Sequence, residues 1–178
     1  MKTKPRPFKN QPIIIVPYDP FWPVAFKEEA ARIWSVVGDL LTSLEHIGST
    51  SVPGLAAKPV IDMLAGLKSL SDTPALVAGL CPLGYVYEPE REEFIPDRRY
   101  FSKMKKGSLG YHLHMVEPST DFYIRHLAFR DYLRDHPDAA AEYAALKIKL
   151  SKQYRSDRDG YTNAKTTFIK DIEKKALQ

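Results

Sequence analysis

The sequence predicts an α+β fold, layered as in α/β proteins, and three observations support this class. Residues 59–67 are almost continuously apolar, which is typical of a strand buried on both faces. Residues 99–105 and 111–117 alternate in polarity, as the strands of an antiparallel hairpin do. Helical periodicity is present in residues 21–41 and continues from residue 120 onward, so we expect a small mixed sheet, flanking helices and a helical C-terminal segment.

Length and composition are those of one globular domain. The chain has 178 residues, of which 44% are hydrophobic and 27% charged, and this excludes a disordered, collagenous or wholly coiled-coil protein. A single cysteine excludes a disulfide framework and a cysteine-based zinc cluster. We expect an N-terminal extended arm over residues 1–18 and a single domain over residues 19–178. Since no apolar run is long enough for a leader or a membrane span, we also expect a cytoplasmic protein without a membrane partner.

The first elements follow from prolines and apolar spacing. The arm contains four prolines and ends in the apolar run 13–16, which predicts a short strand. Asp19 is placed to cap a helix over residues 21–41, with Pro20 tolerated in its first turn. A strand over 44–48 and a loop rich in Gly, Ser, Thr and Pro lead into the buried strand.

The remaining elements alternate with proline and glycine breaks. Ser71 or Asp72 caps the next helix, which ends before Pro82. A short strand over 84–87 and a charged loop over 88–97 precede the hairpin, whose turn is Lys106-Gly107-Ser108. The helical segment from 120 is predicted to break at His136-Pro137 and again at 157–160.

The excess positive charge lies in the last helices. The net charge is +4; residues 1–140 carry 17 basic and 17 acidic side chains, whereas residues 141–178 carry nine and five. Such a segment steers polyanions toward a protein. The alternative is a solvated helical segment whose lysines maintain solubility.

The loop that begins at Gly48 has the composition of a phosphate-binding turn. Gly48-Ser49-Thr50 follows a predicted strand and offers backbone N–H groups and hydroxyls, and Lys58 adds a charge at the end of the loop. The Lys-Ser/Thr ending of a Walker A loop is absent. The alternative is an ordinary turn.

Asp62 is the one charge in the apolar strand. An ionised carboxylate there is costly unless it is paired, binds a metal or lies at an open end of the strand. Strand geometry places it on the same face as Lys58 and Leu64, near the Gly48 loop if the two strands are neighbours. A structural ion pair with Lys58 or an arginine is the alternative.

His112 and His114 are two residues apart and share a strand face. A pair of this kind binds a transition metal, with Asp62 or His46 as third ligand, or contacts a phosphate; packing or surface hydrogen bonding is the alternative. Arg98, Arg99 and Lys103 lie across the hairpin, where they would form an anion-binding surface or act only as edge charges.

Arg158, Tyr161 and Lys165 lie at helical spacing. Tyr161 and Lys165 are four residues apart and share one face of the predicted helix.

These motifs together resemble the GrpB family, which has been grouped with the nucleotidyltransferase superfamily. The resemblance is carried by the run from His46 to Met63 and extends to 99–101, 111–117, 126–133 and 161–165. It implies that Gly48-Ser49 and Asp62 match the Gly-Ser turn and the first metal-binding carboxylate of those enzymes. Leu64 stands where the second carboxylate would be, and the histidine pair where the third would be.

The resemblance implies a nucleotidyltransferase-like fold and a set of site residues. Asp62, His112 and His114 are the expected catalytic residues, and also the expected ligands if a metal binds, with Mg²⁺ favoured over Zn²⁺ or another transition metal. The expected phosphate or ligand contacts are Gly48, Ser49, Thr50, Lys58, Arg99, Lys103, Arg130, Tyr161 and Lys165.

Two functions remain open at this point. The first is a nucleotidyltransferase-like protein that binds a nucleotide or other phosphorylated small molecule, with transfer of a nucleotidyl group as its most specific version. The second is a non-catalytic module that binds a nucleotide or, more weakly supported, RNA through its basic helices. The substrate, catalytic competence, metal requirement and oligomeric state are not determined by the sequence.

Overall fold

The computed structural model describes residues 12–104 and 109–178, and these residues form a five-stranded mixed sheet. The strands are β1 (Leu41–Ile47), β2 (Val60–Leu67), β3 (Val86–Tyr87), β4 (Arg99–Met104) and β5 (Gly110–Val116). Their order across the sheet is β1-β2-β5-β4-β3. The central pair β2 and β5 is parallel, and the other neighbours are antiparallel. Parallel pairing requires a long crossover, which here includes a helix and the strands β3 and β4.

Helices flank both faces of this sheet. They are α1 (Trp22–Val37), α2 (Thr73–Leu80), α3 (Asp121–Asp135), α4 (Pro137–Gln153), α5 (Arg158–Ala164) and α6 (Thr166–Ala176). The boundary between α3 and α4 falls at His136-Pro137, where proline is accepted in the first turn of the second helix. None of the helices in the described ranges is long and apolar enough to cross a membrane.

The first face of the sheet is covered by α1 and α2, which pack on it in an apolar core. Odd-numbered residues of β2 and β5 point to this face because side chains alternate along a strand. The buried side chains include Ile33, Leu76, Ile61, Met63, Phe101, Leu113 and Met115. This core fixes the register of β2 and therefore the direction of Asp62 toward the other face.

The second face is covered unevenly. Helix α3 packs on Ile47, Leu64 and Val116 through Phe122, Tyr123 and Leu127. A separate core joins α3, α4 and α6 to the loop after β1 and includes Val52, Leu133, Tyr143, Phe168 and Ile172. Helices α4 and α6 are held by this second core, and α5 packs on α4 through Tyr161 and Leu150, so part of the sheet face remains open as a cleft.

The predicted class, element order and hairpin strands are confirmed, with differences near β1 and at the second break of the C-terminal helices, which falls at residues 154–157 because α5 already begins at Arg158. Helix α1 ends at Val37 rather than at residue 41, and β1 begins at Leu41 rather than at residue 44. Leu41 is buried in the same core as α1. Its apolar side chain therefore fits the helical spacing of residues 21–41, although Leu41 is the first residue of strand β1.

The arm is described only from residue 12. Ile13 donates its N–H to the Arg155 carbonyl (3.0 Å), and Val16 forms a single antiparallel bridge with Ala57 instead of a strand. Residues 1–11 of the predicted arm and the predicted turn at 106–108 lie outside the described residues.

Candidate functional site

A cleft of about 750 Å³ lies between the second face of the sheet and helices α4, α5 and α6. This volume is in the range of small-molecule sites. Its floor is formed by β2 and β5, and one end by the turn after β1. Its lining includes the Gly48 turn, Asp62, both histidines of β5 and six basic side chains, which are Lys58, Arg91, Arg98, Lys147, Arg158 and Lys165.

The turn at Gly48 brings backbone next to a carboxylate. Gly48 has φ +69°, and a Cβ at this position would lie 2.5 Å from Asp62 Oδ2. Only glycine fits both the backbone angle and the contact. The turn is closed by Ser51, whose N–H and hydroxyl both donate to the Gly48 carbonyl (3.2 and 2.6 Å).

Asp62 and His112 form a hydrogen-bonded pair on the cleft floor. The two residues are partners in the parallel pairing of β2 and β5, and His112 Nδ1 lies 2.9 Å from Asp62 Oδ1. Burial by itself would raise the pKa of Asp62, but the hydrogen bond from His112, followed by the electrostatic influence of the His112 and His114 rings and of Lys58, outweighs it and lowers that pKa to about 2. Asp62 is therefore ionised, so Nδ1 carries the proton and donates it. The carboxylate thus orients the imidazole, whose basic nitrogen is Nε2.

His114 differs from His112 although it shares its face. Burial, with a contribution from Arg98, lowers the pKa of His114 well below its usual range. His114 Nδ1 lies 3.5 Å from a guanidinium nitrogen of Arg98. Because arginine only donates, Nδ1 is the acceptor. His114 is therefore neutral.

Three lysines, Lys58, Lys147 and Lys165, line the cleft near Asp62. Lys58 and Lys165 lie over the ring of Tyr161, at 5.5 and 4.4 Å from its centroid. Lys147 is 2% exposed, donates to the Ala56 carbonyl (2.5 Å) and lies 4.7 Å from the Tyr143 centroid. In the described part of the chain, none of the three ammonium groups has a carboxylate oxygen within 4.0 Å.

Burial lowers the pKa of each of these lysines, and repulsion by a neighbouring cation adds to this lowering. For Lys147, burial and then the charges of Lys165 and Lys58 lower the pKa to about 7. Burial and Lys58 lower the pKa of Lys165 to about 8, and burial lowers the pKa of Lys58. The negative charge of Asp62 opposes the shift in all three cases. The Asp62 carboxylate thus favours the protonated form of all three lysines.

Nine of the residues predicted from the sequence line this cleft: Gly48, Ser49, Thr50, Lys58, Asp62, His112, His114, Tyr161 and Lys165. The Thr50 hydroxyl, however, donates to the Val60 carbonyl (3.1 Å) and accepts from His46 Nε2 (3.0 Å). Thr50 therefore stabilises the turn, and its hydroxyl is not directed to a ligand. Ser49 lies beside Tyr143 in the cleft lining.

The expectation that Arg99 and Lys103 lie beside the histidine pair is wrong. In the hairpin register His112 pairs with Ser102 and His114 with Tyr100, so even-numbered residues of β4 face the cleft. Arg99 instead contacts Glu92 (3.2 Å) and Thr73 (2.8 Å), and Lys103 forms an ion pair with buried Glu29 (2.6 Å) on the opposite face.

Arg130 and His46 also lie outside the cleft. Arg130 connects β1 to α3 through Glu45 (2.7 Å), Asp131 (2.7 Å) and the His46 carbonyl (3.1 Å), so its charge is already neutralised. His46 pairs with Met63 rather than Asp62, and its ring stacks on Phe26 of α1. It therefore cannot be a third metal ligand beside the histidine pair.

Sequence reasoning missed Lys147 and left Arg98 and Arg158 unassigned. A signal for Lys147 was present: it lies four residues after Tyr143 and three before Leu150, on the apolar face of α4. Lysine on such a face is rarely buried without a partner. Three of the nine basic residues of the segment 141–178 line the cleft.

The residues do not fit a two-metal centre. Leu64, fully buried in the α3 interface, occupies the position of the second carboxylate. No group of three His, Cys, Asp or Glu side chains suited to a metal ion occurs within residues 12–104 and 109–178. Lys58, Lys147 and Lys165, whose charges interact with Asp62, favour an anion over a cation next to it.

Comparison with known proteins assigns the family. The model of the family described as GrpB protein matches residues 12–175. The chain is 38% identical over 169 residues to the UPF0157 protein YqkA of Bacillus subtilis, covering 95% of this chain and 48% of that protein. It is 35% identical over 167 residues to the UPF0157 protein BH1888 of Halalkalibacterium halodurans, covering 94% and 84%.

A solved structure agrees with this assignment. The crystal structure of conserved protein GrpB from Enterococcus faecalis superposes with a TM-score of 0.83 at 38% identity, covering 92% of this chain and 97% of that one. The chain belongs to the GrpB family. It spans about half the length of YqkA and most of the length of the other two proteins.

Proposed function

We propose that this protein binds a phosphorylated small molecule, most specifically a nucleotide, in the cleft beside Asp62. The observation that carries the proposal is the group of Lys58, Lys147 and Lys165 around a single carboxylate. Burying unpaired cations destabilises a protein by several kcal/mol per ion in typical cases. A ligand with two or more negative charges would remove that cost, because it supplies the missing counter-charge.

The turn after β1 extends this cationic surface. Gly48 allows close approach to the backbone, and Ser49 lies at the same end of the cleft. Short turns with successive N–H groups bind phosphate oxygens. In the proposed complex the phosphate groups would lie between this turn, Lys147 of α4 and Lys165, which lies between α5 and α6.

The Asp62–His112 pair gives the site a chemical function. A carboxylate that holds a neutral imidazole in one tautomer produces a general base at the other ring nitrogen. In nucleotidyl transfer, an acceptor hydroxyl would give its proton to His112 Nε2 while its oxygen bonds to the α-phosphorus. The bond from that phosphorus to the pyrophosphate oxygen breaks, and pyrophosphate leaves with the electron pair.

A non-catalytic nucleotide-binding module is the second candidate, and Leu64 favours it. With an apolar side chain at the second carboxylate position, the site retains phosphate contacts and lacks the metal-binding pair. Binding of RNA by the basic helices has less support, because Lys147, Arg158 and Lys165 face the cleft.

A thermal-shift panel tests the binding proposal. The probes are inorganic phosphate, pyrophosphate and nucleoside mono-, di- and triphosphates, each with and without Mg²⁺, Mn²⁺ or Zn²⁺. A ligand at 100 times its Kd stabilises the folded state by about 2.7 kcal/mol. We expect the melting temperature to rise with phosphorylated probes in metal-free buffer.

Matched variants assign the effect to the cleft. Lys147→Met and Lys165→Met should abolish most of the shift, whereas Lys149→Met, at an exposed position of α4, should retain it. No shift with any phosphate, or an equal shift in Lys147→Met and Lys149→Met, would overturn the proposal. Release of pyrophosphate from a nucleoside triphosphate by wild type but not by His112→Gln would separate the transferase from the binding module.

A further inference from the structure

The cleft contains a second buried cation that is separate from the lysine group. Arg98 is 8% exposed, lines the cleft, and its Nε has no hydrogen-bond partner among the described residues. Its guanidinium carbon lies 5.3 Å from the Tyr100 centroid and 5.4 Å from that of Phe122. Two aromatic rings thus hold the guanidinium in place.

The partners of Arg98 leave its charge uncompensated. The polar contact of its guanidinium is Nδ1 of neutral His114 at 3.5 Å, and no carboxylate oxygen lies within 4.0 Å in residues 12–104 and 109–178. Glu88, the nearby acid, accepts instead from Arg91 (2.7 Å) and Ser102 (2.6 Å). A buried guanidinium presents a planar set of donors that matches a carboxylate or phosphate.

Arg98 and the lysines lie in different electrostatic surroundings. The lysines are influenced by one another and by Asp62, whereas Arg98 is influenced by Arg91, Tyr100 and Glu88. Along the parallel strands Lys58 precedes Asp62, while His114, the contact of Arg98, lies two residues beyond His112. Two strand residues span about 7 Å. The Asp62–His112 pair therefore lies between the two groups.

We infer that Arg98 forms a second anion subsite, so the ligand class of the cleft carries two anionic groups, one on either side of the Asp62–His112 pair. This inference rests on the proposed function, which supplies the phosphate group at the lysines. The second group is a phosphate or a carboxylate, held by the Arg98 guanidinium between Tyr100 and Phe122. A phosphorylated compound with one terminal phosphate and no other anionic group would fill only the lysine subsite.

Calorimetric titration with inorganic phosphate tests the second subsite. Wild type should bind two phosphates. Arg98→Met should lose one of them and keep the affinity of the other within about twofold, and Lys147→Met should lose the other. Arg155→Met, at an exposed position outside the cleft lining, should bind two. Arg98→Lys, which keeps the charge but not the planar donors, should bind the second phosphate more weakly, and it replaces Arg98→Met if that variant does not fold.

The outcomes separate this inference from the proposed function. A single phosphate in wild type, lost in Lys147→Met and kept in Arg98→Met, would overturn the second subsite and support the first. A single phosphate lost only in Arg98→Met would overturn the lysine site and leave Arg98 as the anion site. No binding would overturn both. A titration with acetate identifies the second anionic group. Competition of acetate with phosphate only at the Arg98-dependent site would indicate a carboxylate. No competition at that site would indicate a second phosphate.

Discussion

The two faces of the sheet treat buried charge in opposite ways. On the face under α1, Glu29 is 1% exposed and is held by Lys103 at 2.6 Å and Arg32 at 3.4 Å. On the cleft face, the three lysines near Asp62 and the separate Arg98 make no ion pair within residues 12–104 and 109–178. The first face neutralises its own charges and is structural, whereas the second needs a ligand to do so. Predictions about stability and binding should therefore separate by face.

The largest effect is expected on the neutralised face. Glu29→Ala leaves Lys103 without a counter-charge, and breaking a buried pair in this way costs about 3–5 kcal/mol. We expect that loss in the free energy of unfolding measured in urea, with phosphate binding unchanged in the folded fraction. Glu28→Ala, exposed on the same helix, should change stability by less than about 0.5 kcal/mol. Equal effects of the two substitutions would contradict the structural role.

The Gly48 turn should show the next largest effect. Gly48→Ala forces a side chain into a positive φ and against Asp62, and we expect a loss of about 1–3 kcal/mol together with loss of phosphate binding. Gly54→Ala is a matched control, because its φ is +77° and nothing lies within 4 Å of its Cβ position. It should cost less and bind phosphate normally. Normal binding by Gly48→Ala would show that the turn does not contact the ligand.

Asp62→Asn distinguishes an anion site from a metal site. Removing the carboxylate removes repulsion of the ligand, so phosphate should bind about three- to tenfold more tightly in metal-free titrations. Any turnover should fall because His112 loses its orienting partner. Asp138→Asn, exposed on α4, should change neither quantity. Weaker binding by Asp62→Asn, restored with excess Mg²⁺, would instead support a metal-binding role.

The last effect concerns the pH dependence of stability. Lys147 and Lys165 have pKa values of about 7 and 8 in the folded protein and near 10.5 when unfolded. The unfolded state therefore binds more protons between these values, and stability without ligand should rise with pH from about 7 to about 9.5. The slope is at most about 1.4 kcal/mol per pH unit for each lysine. Above that range the buried tyrosines, whose pKa values are raised by burial, reverse the trend.

Lys147→Met with Lys165→Met should flatten the pH profile measured by chemical denaturation. A profile with the same slope in the double variant would assign the pH dependence to other groups.

The sequence predicted the floor of the site better than its walls. Strand parity placed Lys58 and Asp62 on one face and paired Asp62 with the His112 face, because the apolar run of β2 fixes which side chains turn inward. Arg99 and Lys103 were misplaced because their face depends on the hairpin register, which alternation alone does not define. Arg98, just outside β4, was seen only as one of several basic residues.

The walls depend on tertiary packing that has no local signal. The sequence shows that Lys147 lies on the apolar face of α4. It does not predict that this face packs over strand β2. That placement follows from contacts such as Tyr143 with Phe168, whose rings stack at 5.1 Å between distant helices. The same packing brings Lys165 to the Tyr161 ring beside Lys58.

Proton uptake on anion binding is the most direct test of the claim that a bound anion supplies the counter-charge of the cleft lysines. Sulfate is a suitable probe because it does not itself titrate near pH 8. At that pH, calorimetry in buffers of different ionisation enthalpy should show uptake of about one proton per sulfate, since the bound anion raises the pKa values of Lys147 and Lys165. Sulfate binding with no proton uptake, or with proton release, would contradict the account.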